Sequence, residues 1–306
     1  MTWVRFAVVF GVWAFLPFAA AIAGPVEEGF AAYQRGKFER AFELWRPYAE
    51  QGNPLAQVFL GSLYLTGDGA PQSYAQALLW YREAAEKGNA AAQYNLGWVH
   101  EKGLGAPQDF AQALNWYRKA ASQGHALAQA KLGSLFRLGL GAPQDFDQAL
   151  IWTRKAADQG DPGAQDDLGT MYRLGQGVTL DYGQAVEWYR KAAQQGSARA
   201  RNDLGMMYRL GGGVPQDFAQ AFVWFLMAAD QGAAAAQYNL GSMFAMGQGA
   251  PKDHAQAYLW FSLAAANASD DETRQQAVKN LGLVAAEMTP AEIAEAKLRV
   301  EAWAPK

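Results

Sequence analysis

The chain has 306 residues, with 29 acidic against 26 basic side chains, three histidines and no cysteine. A net charge of −3 is too slight to imply a strongly counter-charged partner, so no nucleic acid is expected, and the missing cysteine removes thiol nucleophiles, zinc–thiolate and iron–sulfur sites, and disulfides. With 51% hydrophobic and only 18% charged residues, the chain has the material for a folded core.

After Arg5 an apolar stretch runs from Phe6 to Ala23, interrupted by Gly11 and Pro17, and ends in Ala21-Ile22-Ala23 before Gly24. Small residues at Ala21 and Ala23 fit a signal-peptidase site, so residues 1–23 are expected to be a cleaved signal peptide. The mature chain, Gly24 to Lys306, is then periplasmic or secreted. The alternative is an uncleaved anchor, because this largely apolar stretch of 18 residues just reaches spanning length. No later apolar run does, so no membrane span is expected in the mature chain.

Residues 26–52, with Tyr33, Phe38, Ala41, Trp45 and Gly52, read as a degenerate, shortened unit that caps the N-terminal end of a repeat array. From Asn53 the sequence repeats every 36 residues, with Trp80, Trp116, Trp152, Trp188, Trp224 and Trp260 in one register and Leu60-Gly61 to Leu240-Gly241 in another. The array holds six units, at 53–88, 89–124, 125–160, 161–196, 197–232 and 233–268. Within one unit Ala164, Leu168 and Tyr172 stand at steps of four, and Ala185, Trp188, Ala192 and Ala193 continue the pattern later, so each unit holds two helices with Gly175-x-Gly177 between them.

Punctuation agrees with the apolar period. Each second helix opens on Ser73, Asp109, Asp145, Asp181, Asp217 or Asp253, with glutamine three residues on, which is capping-box spacing. Asn53-Pro54 and Asp161-Pro162 read as an N-cap followed by proline at the first helical position. Of 32 glycines, 24 fall in three recurring slots, so glycine here serves geometry, and no strand precedes any Gly-x-Gly as a phosphate loop would need. The Gly after each Leu is explained by close approach of two helices. Residues 269–306 differ: Ser269-x-x-Glu272 and Thr289-Pro290-x-Glu292 are two further capping boxes, opening C-terminal capping helices near 270–287 and 290–303.

The pattern A-x-x-x-L-G-x-x-Y-x-x-G-x-G, followed by D-[FY]-x-x-A-x-x-W-x-x-x-A-A-x-x-G, resembles the Sel-one-like repeat, a relative of the tetratricopeptide repeat, over all six units. The resemblance implies an all-α, right-handed α-solenoid of antiparallel helix pairs that acts as a scaffold or adaptor for other proteins. Exported bacterial members of this kind are similar to regulators that bind a sensor kinase and to factors that assemble envelope machinery. A cysteine-rich branch acts on β-lactams, and with no cysteine this chain is not expected to share that activity.

A catalytic constellation is not apparent. His100 takes the slot of Tyr64, Phe136, Tyr172, Tyr208 and Phe244, His125 an N-cap slot, and His254 the slot of Tyr74, Phe110, Phe146, Tyr182 and Phe218, so the three form no ligand cluster in sequence. Asp166-Asp167 and Asp270-Asp271 are helix neighbours that do not face one another. No Gly-x-Ser-x-Gly occurs, and the tryptophans are expected in the core. The reading is non-enzymatic, with no catalytic residue, metal or cofactor.

Function is then expected on the face that packing leaves free. In residues 89–124, Ala92, Leu96, Val99 and His100 define the buried stripe, while Ala91, Tyr94, Trp98 and Glu101 lie on another sector. By the same resemblance that sector lines a concave groove. Its last column reads Leu65, Glu101, Arg137, Arg173, Arg209 and Ala245. Arg137, Arg173 and Arg209, about 10 Å apart from repeat to repeat, would form a ladder gripping carboxylates of a protein or peptide partner with acidic groups. Arg199 belongs to the same groove, Tyr94, Trp98 and Tyr238 would flank it as aromatic anchors, and Asn202 would hold partner backbone. The other reading of these columns is that Asp166, Asp167 and Asp203 neutralise the arginines and leave an inert surface. The rival function is a binding protein or hydrolase for cell-wall fragments or a small ligand, with a site the sequence does not display.

Overall fold

The computed structural model describes residues 24–305, so the expected signal peptide lies outside the described residues. Within these the regular structure is helical throughout, in sixteen helices arranged as consecutive packed pairs, an all-α solenoid. Two compact units divide at Gln159 and Gly160. The first holds α1 (Pro25–Gln34), α2 (Phe38–Glu50), α3 (Pro54–Thr66), α4 (Tyr74–Glu86), α5 (Ala90–Lys102), α6 (Phe110–Ser122), α7 (Ala126–Leu138) and α8 (Phe146–Asp158). The second holds α9 (Pro162–Leu174), α10 (Tyr182–Gln194), α11 (Ala198–Leu210), α12 (Phe218–Ala229), α13 (Ala234–Met246), α14 (His254–Asn267), α15 (Asp271–Ala285) and α16 (Pro290–Ala302).

The helix starts obey the caps. Asn53 Oδ1 accepts from the N–H groups of Leu55 and Ala56 at 3.0 Å, and Asp109 Oδ1 from Gln112 N–H at 2.9 Å. Each second-helix cap binds the backbone of its glutamine, but the reciprocal side-chain bond of a capping box forms, among the described residues, only at Thr289–Glu292. At the other expected box Asp270, not Ser269, caps α15, accepting from Thr273 N–H at 2.7 Å. Aspartate one residue later offers the stronger acceptor, so the helix starts there.

The Leu-Gly register has a steric cause. A Cβ on Gly97 would lie 2.8 Å from Cδ1 and 2.9 Å from Cε1 of Tyr117, a ring with no exposure. The same slot brings Gly61 onto Tyr81, Gly169 onto Tyr189, Gly205 onto Phe225 and Gly241 onto Phe261. This corrects the expectation for the tryptophans. In each second helix the residue after the tryptophan is buried more deeply than the tryptophan itself: Tyr81, Tyr117, Thr153, Tyr189, Phe225 and Phe261 are at most 2% exposed, while Trp188 and Trp260 are buried and Trp80, Trp116, Trp152 and Trp224 are half-buried. Three of the indoles are covered by a lysine one turn later, with Lys119, Lys155 and Lys191 ammonium groups 3.8, 4.4 and 3.6 Å from the ring centroids of Trp116, Trp152 and Trp188. In the turns, Gly105 has φ +74°, and its Cβ would meet Tyr74 Cβ at 2.8 Å, so backbone conformation and close approach both demand glycine.

Within each unit a polar seam joins successive repeats. Gln57, Gln93, Gln129 and Gln237 each donate to the backbone carbonyl eight residues earlier, at 3.1, 3.1, 3.1 and 3.2 Å, satisfying last-turn carbonyls of the preceding helix. Arg201 does this in the fifth repeat, from Nε to Ala193 O at 3.2 Å. The ends are closed differently. Trp45 is fully buried and donates to Val26 O at 2.9 Å, tying α1 to α2, and Trp303 packs edge-on against Trp260 at 6.4 Å, tying the C-terminal segment to α14.

Candidate functional site

The first helices of the repeats, α3, α5, α7, α9, α11 and α13, carry the expected groove columns near their C-terminal ends. In the first unit the column residue Glu101 is only 8% exposed. Tyr117 Oη donates to its Oε2 at 2.7 Å, and Lys102 and Lys131 stand 3.2 and 3.3 Å from Oε1. Burial pushes this carboxyl up, but the Tyr117 bond and the two ammonium groups outweigh it and hold the pKa below the usual glutamate value. Tyr94, expected as a groove anchor, is an interior side chain, 6% exposed, because His125 of the next repeat stacks on it at 4.9 Å and Tyr117 lies 5.7 Å away. Trp98 is half-buried against the core of α3–α6. Arg137 is half-buried at the end of α7, where its carbonyl accepts from Gln144 Nε2 at 2.8 Å.

The second unit gathers most of the remaining candidates. Arg199, at the start of α11, reaches Asp166 Oδ2 at 2.9 Å through Nε and Asp167 Oδ1 at 3.1 Å through Nη2. The two aspartates do not face each other along α9, yet one guanidinium from the next repeat engages both. Their depths differ sharply: the Asp166 and Asp167 side chains are 3% and 17% exposed, against 56% for Arg199. Arg173 Nε donates to Tyr189 Oη at 3.1 Å, and the same hydroxyl shares a hydrogen bond with Thr170 Oγ1, also at 3.1 Å. Burial opposes its charge, but the Tyr189 hydroxyl and nearby Asp203 raise its pKa above the ordinary arginine value. Asp203 is pushed up by desolvation despite Arg199 and Arg173. Asn202 is engaged on both sides, donating to Asp203 Oδ1 at 3.2 Å and accepting from Asn239 Nδ2 at 2.9 Å. Tyr238 is half-buried under α15, its hydroxyl accepting from Asn280 Nδ2 at 3.1 Å.

Arg209 stands apart. Sixteen residues after Glu101 and Arg173 come the phenols Tyr117 and Tyr189 that orient them, but sixteen after Arg209 comes Phe225, which has no hydroxyl. Among the described residues Arg209 makes no side-chain ion pair or hydrogen bond; only its carbonyl is engaged, by Gln216 Nε2 at 2.9 Å. The orienting phenols and Lys131 are participants that the column reading misses. The signal for the phenols was the recurrent offset of sixteen residues between the column and the ring slot.

The histidines play structural parts. His125 caps α7, its Nδ1 accepting from Ala128 N–H at 3.2 Å, and burial depresses its pKa to about 4. His100 is half-buried with its pKa lowered by burial. His254 opens α14 beside Glu287 and Glu292. No cluster of three or more potential metal ligands occurs among the described residues, and no described helix is long and apolar enough to cross a membrane.

Repeated helix pairs locked by glycine-on-ring contacts, with ionic side chains displayed along the first helices, define a helical-repeat solenoid of the interaction-scaffold type. The Sel1 repeat model matches six times, at residues 54–89, 90–125, 126–161, 162–197, 198–232 and 234–269, and the chain belongs to the Sel1 repeat family. A protective antigen of uropathogenic Escherichia coli with an SLR fold is similar at 34% identity and a TM-score of 0.85, over 92% of this chain and 61% of the antigen's. A Sel1 repeat protein from Oxalobacter formigenes is similar at 36% identity and a TM-score of 0.75, over 79% of this chain and 97% of its own. The chain thus spans less than two thirds of the antigen's length. No curated protein gave a significant match. Sel1 repeat proteins are generally protein-interaction scaffolds.

Proposed function

We propose that this protein is an exported, non-enzymatic adaptor of the bacterial cell envelope that holds a partner protein against its first-helix face, as a regulator of a sensor kinase or in envelope assembly. The observation that carries the reading is the layering of charge in the second unit. Counted formally, Arg173, Arg199 and Arg209 are balanced by Asp166, Asp167 and Asp203. Asp166 and Asp167, however, lie beneath Arg199, with 3% and 17% of their side chains exposed against 56% for the arginine. An approaching partner therefore meets guanidinium first, and guanidinium binds carboxylates through paired hydrogen bonds. The alternative of an inert, internally paired surface accounts for Arg199 but leaves Arg209 without a carboxylate.

The test is site-specific photocrosslinking in native cells from position 216, an exposed site beside Arg209 that leaves the arginine in place, followed by mass spectrometry, with the same chain carrying Arg173→Glu and Arg209→Glu as competitor. A discrete crosslinked protein that the folded double variant fails to displace is expected. Equal displacement by the double variant would remove the groove from the reading. Export is tested separately, by finding whether the mature chain begins at Gly24.

A further inference from the structure

The arginine column stops at the sixth repeat, where Ala245 stands in the slot of Arg173 and Arg209. The truncation leaves a pocket of about 200 Å³, lined by Ala245, Met246, Phe261, Leu283 and Val284, with Ser242 and Asn280 as its polar members. It lies between α13, α14 and the non-repeat helix α15, wholly within the second unit. Cofactor and drug-sized ligands occupy about 300–1,000 Å³, so a space of this size suits one large apolar side chain. Its rim is unusually apolar for a surface: Met246 is 56% and Leu283 62% exposed.

That rim continues a row. Met246 is the last residue of α13, and the last residues of α9 and α11 are Leu174 and Leu210, 49% and 66% exposed. Each comes directly after a column residue, Arg173, Arg209 or Ala245. Cations near helix C-termini are favoured by the helix dipole, which accounts for arginine in this turn without a ligand. It does not account for an exposed leucine or methionine after each one, which costs solubility and adds no capping bond.

We propose that this row and pocket form one binding track for a protein segment in which apolar side chains alternate with carboxylates. One apolar side chain fills the pocket beside Ala245 and Leu283, others lie on Met246, Leu210 and Leu174, and the carboxylates meet Arg209 and Arg173. Charge complementarity sets the partner's sign, because the carboxylates of Asp166 and Asp167 are covered and Arg209 is not paired. Arg209 is the stronger of the two contacts, since Arg173 already donates to Tyr189 and feels Asp203. This rests on the proposed adaptor role and specifies the chemistry of what is held.

The experiment is selection of a random peptide library on the chain from Gly24 to Lys306, followed by affinity measurement on Leu283→Asp and Arg209→Ala. Leu283 is exposed and Arg209 unpaired, so both variants should keep the helical circular dichroism of the parent; Leu283→Asn replaces Leu283→Asp should the latter misfold. Enriched peptides combining Asp or Glu with Leu, Ile, Phe or Met, and weakened roughly ten-fold or more by each variant, are expected. Peptides that bind and are lost on Arg173→Glu, Arg209→Glu but lack that composition, or ignore Leu283→Asp, overturn the track while leaving the adaptor reading intact. Selection yielding no peptide sensitive to the groove arginines overturns both.

Discussion

His125 offers the sharpest check on the physical account, because its cap works only while the imidazole is neutral. Nδ1 accepts the Ala128 N–H at 3.2 Å, so the ring hydrogen sits on Nε2, which is buried without a partner. With the residue 9% exposed and its ring stacked on Tyr94 at 4.9 Å, burial lowers the pKa from the ordinary 6.5 to about 4. A lowered histidine pKa means that the unfolded chain takes up a proton near pH 6.5 while the folded chain waits until near pH 4. Stability is therefore complete at pH 7, erodes as pH falls across that window, and levels off below it. The displacement corresponds to about 3 kcal/mol. In His125→Asn the cap becomes the residue found at Asn53 and Asn89, which binds the same N–H groups without titrating. Urea unfolding of both proteins from pH 7 to pH 4 should show the wild type losing about 3 kcal/mol relative to the variant. The Cε1 proton of His125 should titrate by NMR with a midpoint near 4. A constant difference between the proteins over this range, or a midpoint near 6.5, would refute the reasoning.

Two helical glycines should respond to alanine with opposite signs. In Gly205→Ala the new methyl lies 2.8 Å from two ring carbons of the fully buried Phe225, and an overpacking cost of about 1–3 kcal/mol outweighs the helix gain of about 1 kcal/mol; Gly282→Ala, with nothing within 4 Å, should keep that gain, and the two urea midpoints will show it. Arg199→Ala removes an ion pair to the buried Asp166 and should cost about 1–3 kcal/mol. Arg209→Ala, which breaks no ion pair, should stay within about 0.5 kcal/mol, and thermal unfolding that ranks them the other way round would contradict the layered-charge description.

The repeat length, the two helices per repeat and their caps are legible in the sequence because each is local: an N-cap binds a backbone group two or three residues away, and a left-handed glycine needs only its own φ. The family is legible from the same residues. The sites are less so. The column reading selects Arg173, Arg199 and Arg209, yet it treats Tyr94 as exposed, whereas the stacked His125 of the next repeat buries it. Periodicity places two adjacent aromatic residues on overlapping sectors and cannot rank their depth, and so it overstates the tryptophans; the glycine opposite, as with Gly97 against Tyr117, makes the next residue the deeper one.

By itself the sequence determined the element order and the chemistry available on each helix, since those depend on contacts within a few turns. Tertiary packing alone decided which carboxylates lie beneath which arginines, because Arg199 meets Asp166 and Asp167 only when one repeat stacks on the next. It likewise created the pocket at Ala245, where a small side chain becomes an opening only because α15, which belongs to no repeat, closes the far wall with Leu283 and Val284.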